Sequence, residues 1–188
     1  MKQNYTKKRI FSLFMAVCMI FTMLPGYTLT VSAGTPDILL NIENGKIEIV
    51  DGTTAGYITV KQNGSAIAEY TDINPADNEI VIHGENSAST VNINTVDSTT
   101  VFITLDGATI RGMDSCAAFD VDNESVVNLT VTGTNSLSVK SDNGTSGYAA
   151  LQVEEGATLV IGGTGLLKAF FYYKVADIFQ KVDKYGGA

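Results

Sequence analysis

Residues 117–137 read AAFDVDNESVVNLTVTGTNSL, and residues 149–167 read AALQVEEGATLVIGGTGLL. The two stretches place apolar, acidic and glycine residues in nearly the same order. A repeated phrase of this kind is typical of a repeat protein, in which equivalent residues of successive units meet equivalent surroundings. The repeat therefore predicts a stack of similar layers.

Short runs of alternating apolar and polar residues fill most of the chain from Gly34 to Leu167. A period of two residues indicates a strand with one buried face. Asn-Gly, Asp-Gly and Gly-Gly pairs separate the runs, as expected for turns. The runs are GKIEIV, GYITV, EIVIHG, TVNIN, VFITLDG, VVNLTVTG and ATLVIGG. Because no convincing amphipathic helix interrupts them, we predict an all-β domain.

The spacing of the glycines favours a solenoid. Apolar pairs precede three glycines in the same frame: Ile103 and Leu105 before Gly107, Leu129 and Val131 before Gly133, and Leu159 and Ile161 before Gly163. A second match joins Phe119 and Val121 to Leu151 and Val153. The interval between successive glycines of this set suits one coil of a parallel β-helix. We predict a right-handed parallel β-helix, with an immunoglobulin-like β-sandwich as the alternative.

The residues between the inward pairs are predicted to face outward. Asp120 and Asp122 then lie beside Gln152 and Glu154 of the next coil, about 4.8 Å away. Asp120, Asp122 and Glu154 are our candidate ligands for Ca²⁺, and Glu124 offers a further oxygen. Calcium takes six to eight oxygens, so backbone carbonyls or water would have to complete the shell. The alternative is a solvated acidic wall that keeps the protein soluble.

The segment 1–33 is predicted to be a secretory signal peptide. Four basic residues precede an apolar stretch at residues 10–24, and Val31-Ser32-Ala33 forms a small-residue cleavage region. An uncleaved membrane anchor is the alternative, but the apolar stretch is shorter than the roughly 20 residues of a spanning helix. We therefore expect a secreted or cell-surface protein with no membrane contact after cleavage.

Cleavage of this leader would make the chain strongly acidic. Eight basic and twenty acidic residues would remain, a formal charge of −12. Such a surface repels nucleic acid and anionic membranes and favours cations, neutral glycans or basic partners. Cys116 would be the single remaining cysteine, and beside Ala117 and Ala118 we expect it to be a small buried apolar residue.

Three segments carry a resemblance to a known family. The segments VFITLDGATI, CAAFDVDNESVVNLTVTGTNSLSVKS and GYAALQVEEGATLVIGGTG resemble the repeat of exported Gram-positive proteins described as carbohydrate-binding domain-containing proteins. Those proteins resemble the right-handed β-helix of pectate lyases. The likeness is good over residues 80–165, weaker from residue 37, and absent from the tail. It implies non-catalytic attachment to polysaccharide, sometimes with calcium.

Sugar-binding sites commonly stack a pyranose ring on an aromatic side chain. The chain has no tryptophan. Tyr148 is our preferred contact, because it follows a loop in which Asp142 and Asn143 can hydrogen-bond to hydroxyl groups. The alternative is a tyrosine packed where a coil turns. Other aromatic candidates are Tyr57, Tyr70 and Phe102.

The sequence lacks the common signatures of catalysis. It has no phosphate loop, zinc-type Cys/His cluster or Gly-x-Ser-x-Gly motif, and His83 is its one histidine. A polysaccharide lyase would need Arg111 as its base, but nearby Asp106 and Asp114 favour the protonated guanidinium. We predict a protein that is not an enzyme, and keep a vestigial polysaccharide lyase as an alternative.

Residues 168–188 are predicted to form an amphipathic helix after the β-helix domain of residues 34–167. Its apolar residues recur at spacings of four and three, and a glycine pair follows. They are Phe171, Val175, Ile178, Val182 and Tyr185. We expect the helix to cap the lower end of the solenoid; docking on a partner, or foreign sequence created by truncation, are alternatives.

Together these features predict an exported, non-catalytic module that binds polysaccharide or a cell-surface glycan, or mediates adhesion, and that calcium stabilises. A structural or protein-interaction module of a bacterial surface protein is the main alternative.

Overall fold

The computed structural model describes residues 38–96, 99–112, 116–122, 124–141, 148–175 and 178–182. For residues 141, 173–175 and 178–182 it describes the backbone without the side chains. The predicted signal peptide lies outside the described residues. Within these ranges, no helix has the length and apolarity needed to cross a membrane.

Strands make up most of the described chain, and two single-turn 3-10 helices occur at Ile42–Asn44 and Ala68–Tyr70. The strands are β1 (Ile38–Asn41), β2 (Ile47–Asp51), β3 (Ile58–Gln62), β4 (Ser65–Ala66), β5 (Ile80–His83), β6 (Glu85–Asn86), β7 (Val91–Asn94), β8 (Thr100–Asp106), β9 (Thr109–Gly112), β10 (Phe119–Asp122), β11 (Val126–Thr132), β12 (Thr134–Ser141), β13 (Leu151–Val153), β14 (Thr158–Gly163), β15 (Leu166–Val175) and β16 (Ile178–Val182).

Three sheets contain all of these strands. Sheet A has the order β1-β5-β8-β11-β14, sheet B has β13-β10-β7-β2-β3-β4, and sheet C has β16-β15-β12-β9-β6. Neighbours are parallel in sheet A throughout. They are also parallel in sheets B and C, except where β3, β4 and β16 add antiparallel strands at an edge.

The chain visits the three sheets in turn. Strands β5, β6 and β7 lie in sheets A, C and B, and the next two triplets, β8 to β10 and β11 to β13, repeat that order. This cycling is the arrangement of a right-handed β-helix, and it confirms the predicted all-β stack of parallel sheets. The sandwich alternative is wrong, because its neighbouring strands would run antiparallel.

Aliphatic side chains stack in columns inside the solenoid. In sheet A, Ile80 lies beside Ile103, and Ile103 lies beside Leu129. Each of these side chains is at most 1% exposed. Full burial of such a side chain stabilises the fold by about 1.5–3 kcal/mol, so the columns provide the main driving force for stacking.

The register of the last coil differs from the glycine-based prediction. Ile103 and Leu129 are partners, as predicted, but Leu159 pairs with Val127 rather than with Leu129. Gly163 therefore lies beside Val131 instead of beside Gly133. The offset between these partners in sheet A equals the offset between Phe119 and Leu151 in sheet B. For this last pair of coils, the sheet B match therefore gave the correct register.

A buried asparagine closes the corner between sheets A and C. Asn135 is fully buried. Its side chain accepts a hydrogen bond from the amide of Ala108 and donates one to the carbonyl of Thr132, both at 2.7 Å. The side chain thus pairs the buried amide of Ala108 and the partly buried carbonyl of Thr132, which the ladder leaves unpaired at the turn.

An excursion between β2 and β5 accounts for the irregular sequence before residue 100. Strands β3 and β4 turn back along the edge of sheet B, so that the coil from Ile38 to its partner Ile80 is longer than the later coils. The carboxylate of Asp72 closes this excursion by accepting hydrogen bonds from the amides of Thr53 at 2.5 Å and Thr54 at 3.1 Å. The Thr53 hydroxyl also donates to Asp72.

The predicted C-terminal helix is wrong over the described residues. Strand β15 pairs with β12 in parallel, and β16 returns antiparallel beside β15. Aromatic and β-branched residues favour a strand, and β12 offers a free edge with which that strand pairs. Leu167 and Phe171 continue the interior columns on the next coil, as the partners of Asn135 and Val139. Residues 183–188 of the predicted helix lie outside the described residues.

The last described coil exposes apolar side chains. Ile161, in the column of Leu129, is 49% exposed, and Leu166 is 50% exposed. Strands β13 and β14 end their sheets in the described structure. Within the described residues, this end of the solenoid therefore presents a partly apolar surface and two strand edges.

Candidate functional site

The acidic residues predicted as metal ligands lie on the outer face of sheet B. In β10, Phe119 and Val121 are fully buried and face the core. Since side chains alternate along a strand, Asp120 and Asp122 project outward. The third candidate, Glu154, directly follows β13, and its amide donates to the carbonyl of Val121 at 2.9 Å.

The parallel pairing brings the three carboxylates together. Asp120 has Gln152 as its partner on β13. Asp122 and Glu154 each directly follow the next pair of partners, Val121 and Val153. One carboxylate oxygen from each of Asp120, Asp122 and Glu154 lies within 4.8 Å of the other two. The structure thus assembles the predicted group. Glu124, the further residue offered by the sequence, does not belong to this cluster.

Asp120 lies in the least hydrated position of the cluster. Its Oδ1 atom is buried and has no hydrogen-bond partner among the described residues. Burial, followed by repulsion from Asp122 and Glu154, raises the pKa of Asp120 to about 6. The ionised carboxylate therefore carries an unfavourable desolvation and repulsion energy that a bound cation would offset.

Amide side chains lie beside the other two carboxylates, one from a neighbouring strand and one from the same strand segment. Asn92 Nδ2 donates to Asp122 Oδ2 at 2.7 Å, across the β7–β10 pair. Gln152 Nε2 lies 3.4 Å from Glu154 Oε1. No lysine or arginine in the described part of the chain forms an ion pair with the cluster, and the ion pair of sheet B joins Lys46 to Glu48 at 2.7 Å.

The donor set fits a hard divalent cation. Three carboxylates provide three to six oxygens, depending on whether each binds through one or both atoms. Water on the exposed side of Glu154 can supply the rest of the six to eight that Ca²⁺ takes. Magnesium demands a nearly ideal octahedron at shorter distances, which suits this open and irregular group less well.

The predicted sugar contacts are not brought together within the described structure. Tyr148 is 39% exposed just before β13, so its ring is accessible. Asp142 and Asn143 lie outside the described residues. The carbohydrate site at these three residues therefore stays a prediction.

A groove on the outer face of sheet A has features that the sequence analysis did not combine. It has a volume of about 390 Å³ and runs from the loop at residues 75–79 to Phe102 and Thr130. Phe102 is 39% exposed, and the hydroxyl of Thr104 donates to Glu79 at the groove's edge. The alternation in TVFITLD places Phe102 outward, but the loop is distant from it in sequence. Pattern alone could not connect them.

Other residues considered in the sequence have ordinary surroundings. Cys116 is a free cysteine that is partly exposed, rather than buried as expected, while Ala117 and Ala118 beside it are fully buried. His83 is partly exposed at the end of β5.

The fold is a three-sided parallel β-solenoid. The outer face of one sheet carries three carboxylates that could hold a metal ion. No family model, curated protein or solved structure matches the chain.

Proposed function

We propose that this chain is a non-catalytic polysaccharide-binding module of the exported bacterial type, stabilised by calcium at Asp120, Asp122 and Glu154. The observation that carries the proposal is the position of Asp120. Its buried oxygen has no partner among the described residues, and it lies inside a three-carboxylate group.

A cation at this site would act on the fold. The ligands come from two coils, because Asp120 and Asp122 belong to β10 while Glu154 follows β13. Binding would join those coils on the outer face, where side chains otherwise repel. Since the cluster assembles only in the folded chain, binding would raise the stability of the fold by mass action.

The walls of the solenoid supply the surface for a polysaccharide. Parallel strands repeat about every 4.8 Å and present rows of outward polar groups. On sheet A, Phe102 offers an aromatic face beside a groove bordered by Asp77 and Asn78, which is the combination that a sugar ring and its hydroxyl groups require. Just before β13, the ring of Tyr148 is accessible in the coil that contributes Glu154 to the acidic cluster.

Calcium titration of the melting temperature tests the cation component. We expect Ca²⁺ to raise the melting temperature of the calcium-free chain, with a smaller effect of Mg²⁺. Asp120→Asn and Asp122→Asn should each remove most of the shift. Glu85→Gln, which changes an exposed carboxylate in sheet C, is the matched control and should retain it. No shift in the wild-type chain at millimolar Ca²⁺ would exclude the metal site.

Polysaccharide pull-down and calorimetry test the binding component. We expect retention on at least one insoluble or arrayed glycan, and weaker retention of Phe102→Ala. Val160→Ala, an exposed apolar change on the same sheet, is the control. Failure to bind any member of a broad glycan array would overturn the proposal.

The exposed apolar end of the solenoid favours a second candidate function. Val153, Ile161 and Leu166 are 43%, 49% and 50% exposed on the last described coil. A structural module that stacks on a second copy of itself would bury these side chains and pair the edges of β13 and β14. Light scattering over a range of concentrations distinguishes this function: a dimer that Ile161→Asp dissociates supports it.

The geometry disfavours a vestigial lyase. That chemistry would need the arginine base and the calcium site at one groove. Arg111 lies on β9 of sheet C, whereas the carboxylates lie on sheet B.

A further inference from the structure

The two sheets flanking sheet A carry opposite charge. The strands of sheet C contain one acidic residue, Glu85, against five basic ones: Arg111, Lys140, Lys168, Lys174 and Lys181. The strands of sheet B contain Lys61 against four acidic residues: Glu48, Asp51, Asp120 and Asp122. Five of the eight basic residues that follow the predicted leader thus belong to the strands of one sheet.

A pocket of about 470 Å³ lies on this basic wall. Ser87, Arg111, Lys140 and Tyr172 line it. The register explains the assembly, because Lys140 of β12 is the partner of Tyr172 of β15, while Arg111 of β9 is the partner of Ser138. Three successive coils therefore contribute one side chain each, and Ser87 follows β6 in the coil above.

The guanidinium of Arg111 is held in place over an aromatic ring. Its central carbon lies 5.9 Å from the centroid of Tyr172, a separation at which a cation is attracted to the ring face. Ser138, which lies on the strand between them, is only 3% exposed. This attraction favours a guanidinium position over the ring before any ligand binds.

The arginine retains hydrogen-bonding capacity that no described residue satisfies. Arg111 Nε is buried and has no hydrogen-bond partner among the described residues. A buried donor that lacks a partner costs free energy, and an oxyanion accepting from Nε and a terminal nitrogen would supply the bidentate partner that guanidinium groups prefer.

We propose that the Arg111–Lys140–Tyr172 pocket binds the oxyanion of an acidic saccharide. The inference rests on the proposed polysaccharide-binding function and adds the ligand class. Arg111 holds the oxyanion, Lys140 adds a second positive charge, and the exposed part of the Tyr172 ring packs against the sugar. A neutral glycan offers Arg111 Nε only hydroxyl or ether oxygens, which form weaker hydrogen bonds than an oxyanion, and it gains nothing from the positive charge of the pocket.

The oxyanion can be a uronate carboxylate or a phosphate, because both accept a bidentate pair from arginine. Inorganic phosphate and glucuronate, titrated separately while the melting temperature is measured, distinguish them. The ligand that gives the larger shift identifies the group.

Matched polysaccharides test the proposal. Polygalacturonate and its fully methyl-esterified form share a backbone and differ in charge. For a carboxylate ligand we expect the charged form to bind about tenfold or more tightly, and Arg111→Gln to remove that preference. Arg111→Lys keeps the positive charge but cannot form the bidentate pair, so it should retain only part of the preference for the charged polymer. For a phosphate ligand, the same comparison applies to a polysaccharide that carries phosphomonoesters against the same polysaccharide after phosphatase treatment.

The controls separate the outcomes. Lys61→Gln removes a basic residue from sheet B and should leave the preference intact, and the melting temperature of each variant reports whether it folds. Equal binding of charged and neutral polymers overturns the acidic-ligand inference and leaves polysaccharide binding standing. If neither these polymers nor any member of the glycan array binds, the proposed function is overturned. The pocket is then supported by a phosphate or glucuronate shift that Arg111→Gln abolishes, and overturned by its absence.

Discussion

Asn92 and Asp120 occupy the same position on successive coils of sheet B. Both project from the outer face, yet one is a neutral amide and the other a carboxylate with a buried oxygen. Asn92 therefore shows that the outer face of sheet B accommodates an asparagine at this position. The charge at residue 120 is not required for the shape of the sheet, and this points to a role in binding.

We expect Asp120→Asn to stabilise the calcium-free protein at pH 7. The substitution removes a carboxylate that burial and two neighbouring carboxylates disfavour. The gain should be about 1 kcal/mol, because solvent screens a group that remains partly exposed. Urea unfolding in EDTA measures it, with Glu85→Gln as the control. A destabilised Asp120→Asn would show that the wild-type carboxylate already has a favourable partner.

The same residue predicts a dependence on pH. The pKa of Asp120 is raised to about 6 in the folded chain, against about 3.9 for an unperturbed aspartate. Between these values the native state holds a proton that the unfolded state has lost, so this group's contribution to stability falls as pH rises from about 4 to 6. Asp120→Asn lacks this fall. Unfolding free energies of both proteins from pH 4 to 7 should therefore diverge, and parallel curves would contradict the assignment.

The contribution of Asp72 to stability should have the opposite pH dependence, because acid weakens the hydrogen bonds that its carboxylate accepts. Hydrogen bonds from the hydroxyl of Thr53 and the amide of Thr54 lower the pKa of Asp72. A lowered pKa contributes stability above the ordinary aspartate value and loses it as pH falls through the lowered one. Asp72→Asn should lower the melting temperature at pH 7 by more than at pH 3. Asp77→Asn, in an exposed loop nearby, is the matched control.

Sequence periodicity was enough to predict the sheets but not every register. The match of Phe119 with Leu151 was correct because both residues face the core and their phrases align without gaps. The run Gly162-Gly163-Thr164-Gly165 allowed two alignments, and the observed one has the same offset as the sheet B match. Gly163, with φ at +103°, lies so close to Val131 that a side chain there would collide with its backbone. Glycine at this position therefore marks close packing rather than the turn.

The same limits apply to the sites. Asp120, Asp122 and Glu154 were predictable because period-two alternation and one coil offset bring them together. The Arg111 pocket was not, since one of its side chains belongs to β15, a strand that the apolar spacing predicts as a helix. In KAFFYYKV the helical and strand periods both fit, and the free edge of β12 decided between them.

The buried hydrogen bonds of Asn135 should contribute as much to the stability of the fold as a buried apolar contact does. Asn135 pairs the amide of Ala108 and the carbonyl of Thr132 at the corner between sheets A and C. Asn135→Ala removes the partner of the buried Ala108 amide, at a cost of about 1–3 kcal/mol, and the partner of the partly buried Thr132 carbonyl, at a smaller cost. Urea unfolding should show the loss, and Asn128→Ala, on the outer face of sheet A, should change stability by less than about 0.5 kcal/mol. Equal effects would mean that water reaches the corner.

Leu129→Ala tests the interior column on which the whole architecture depends. Leu129 is 1% exposed and lies between Ile103 and Ile161 in sheet A. Removing its side chain leaves a cavity between hydrogen-bonded coils that cannot collapse without breaking the ladder, so we expect a loss of about 2–5 kcal/mol. Val160→Ala, 55% exposed on the outer face of the same sheet, should cost less than about 0.5 kcal/mol. Urea unfolding measures both, and a small loss for Leu129→Ala would mean that the side chain does not occupy a packed interior.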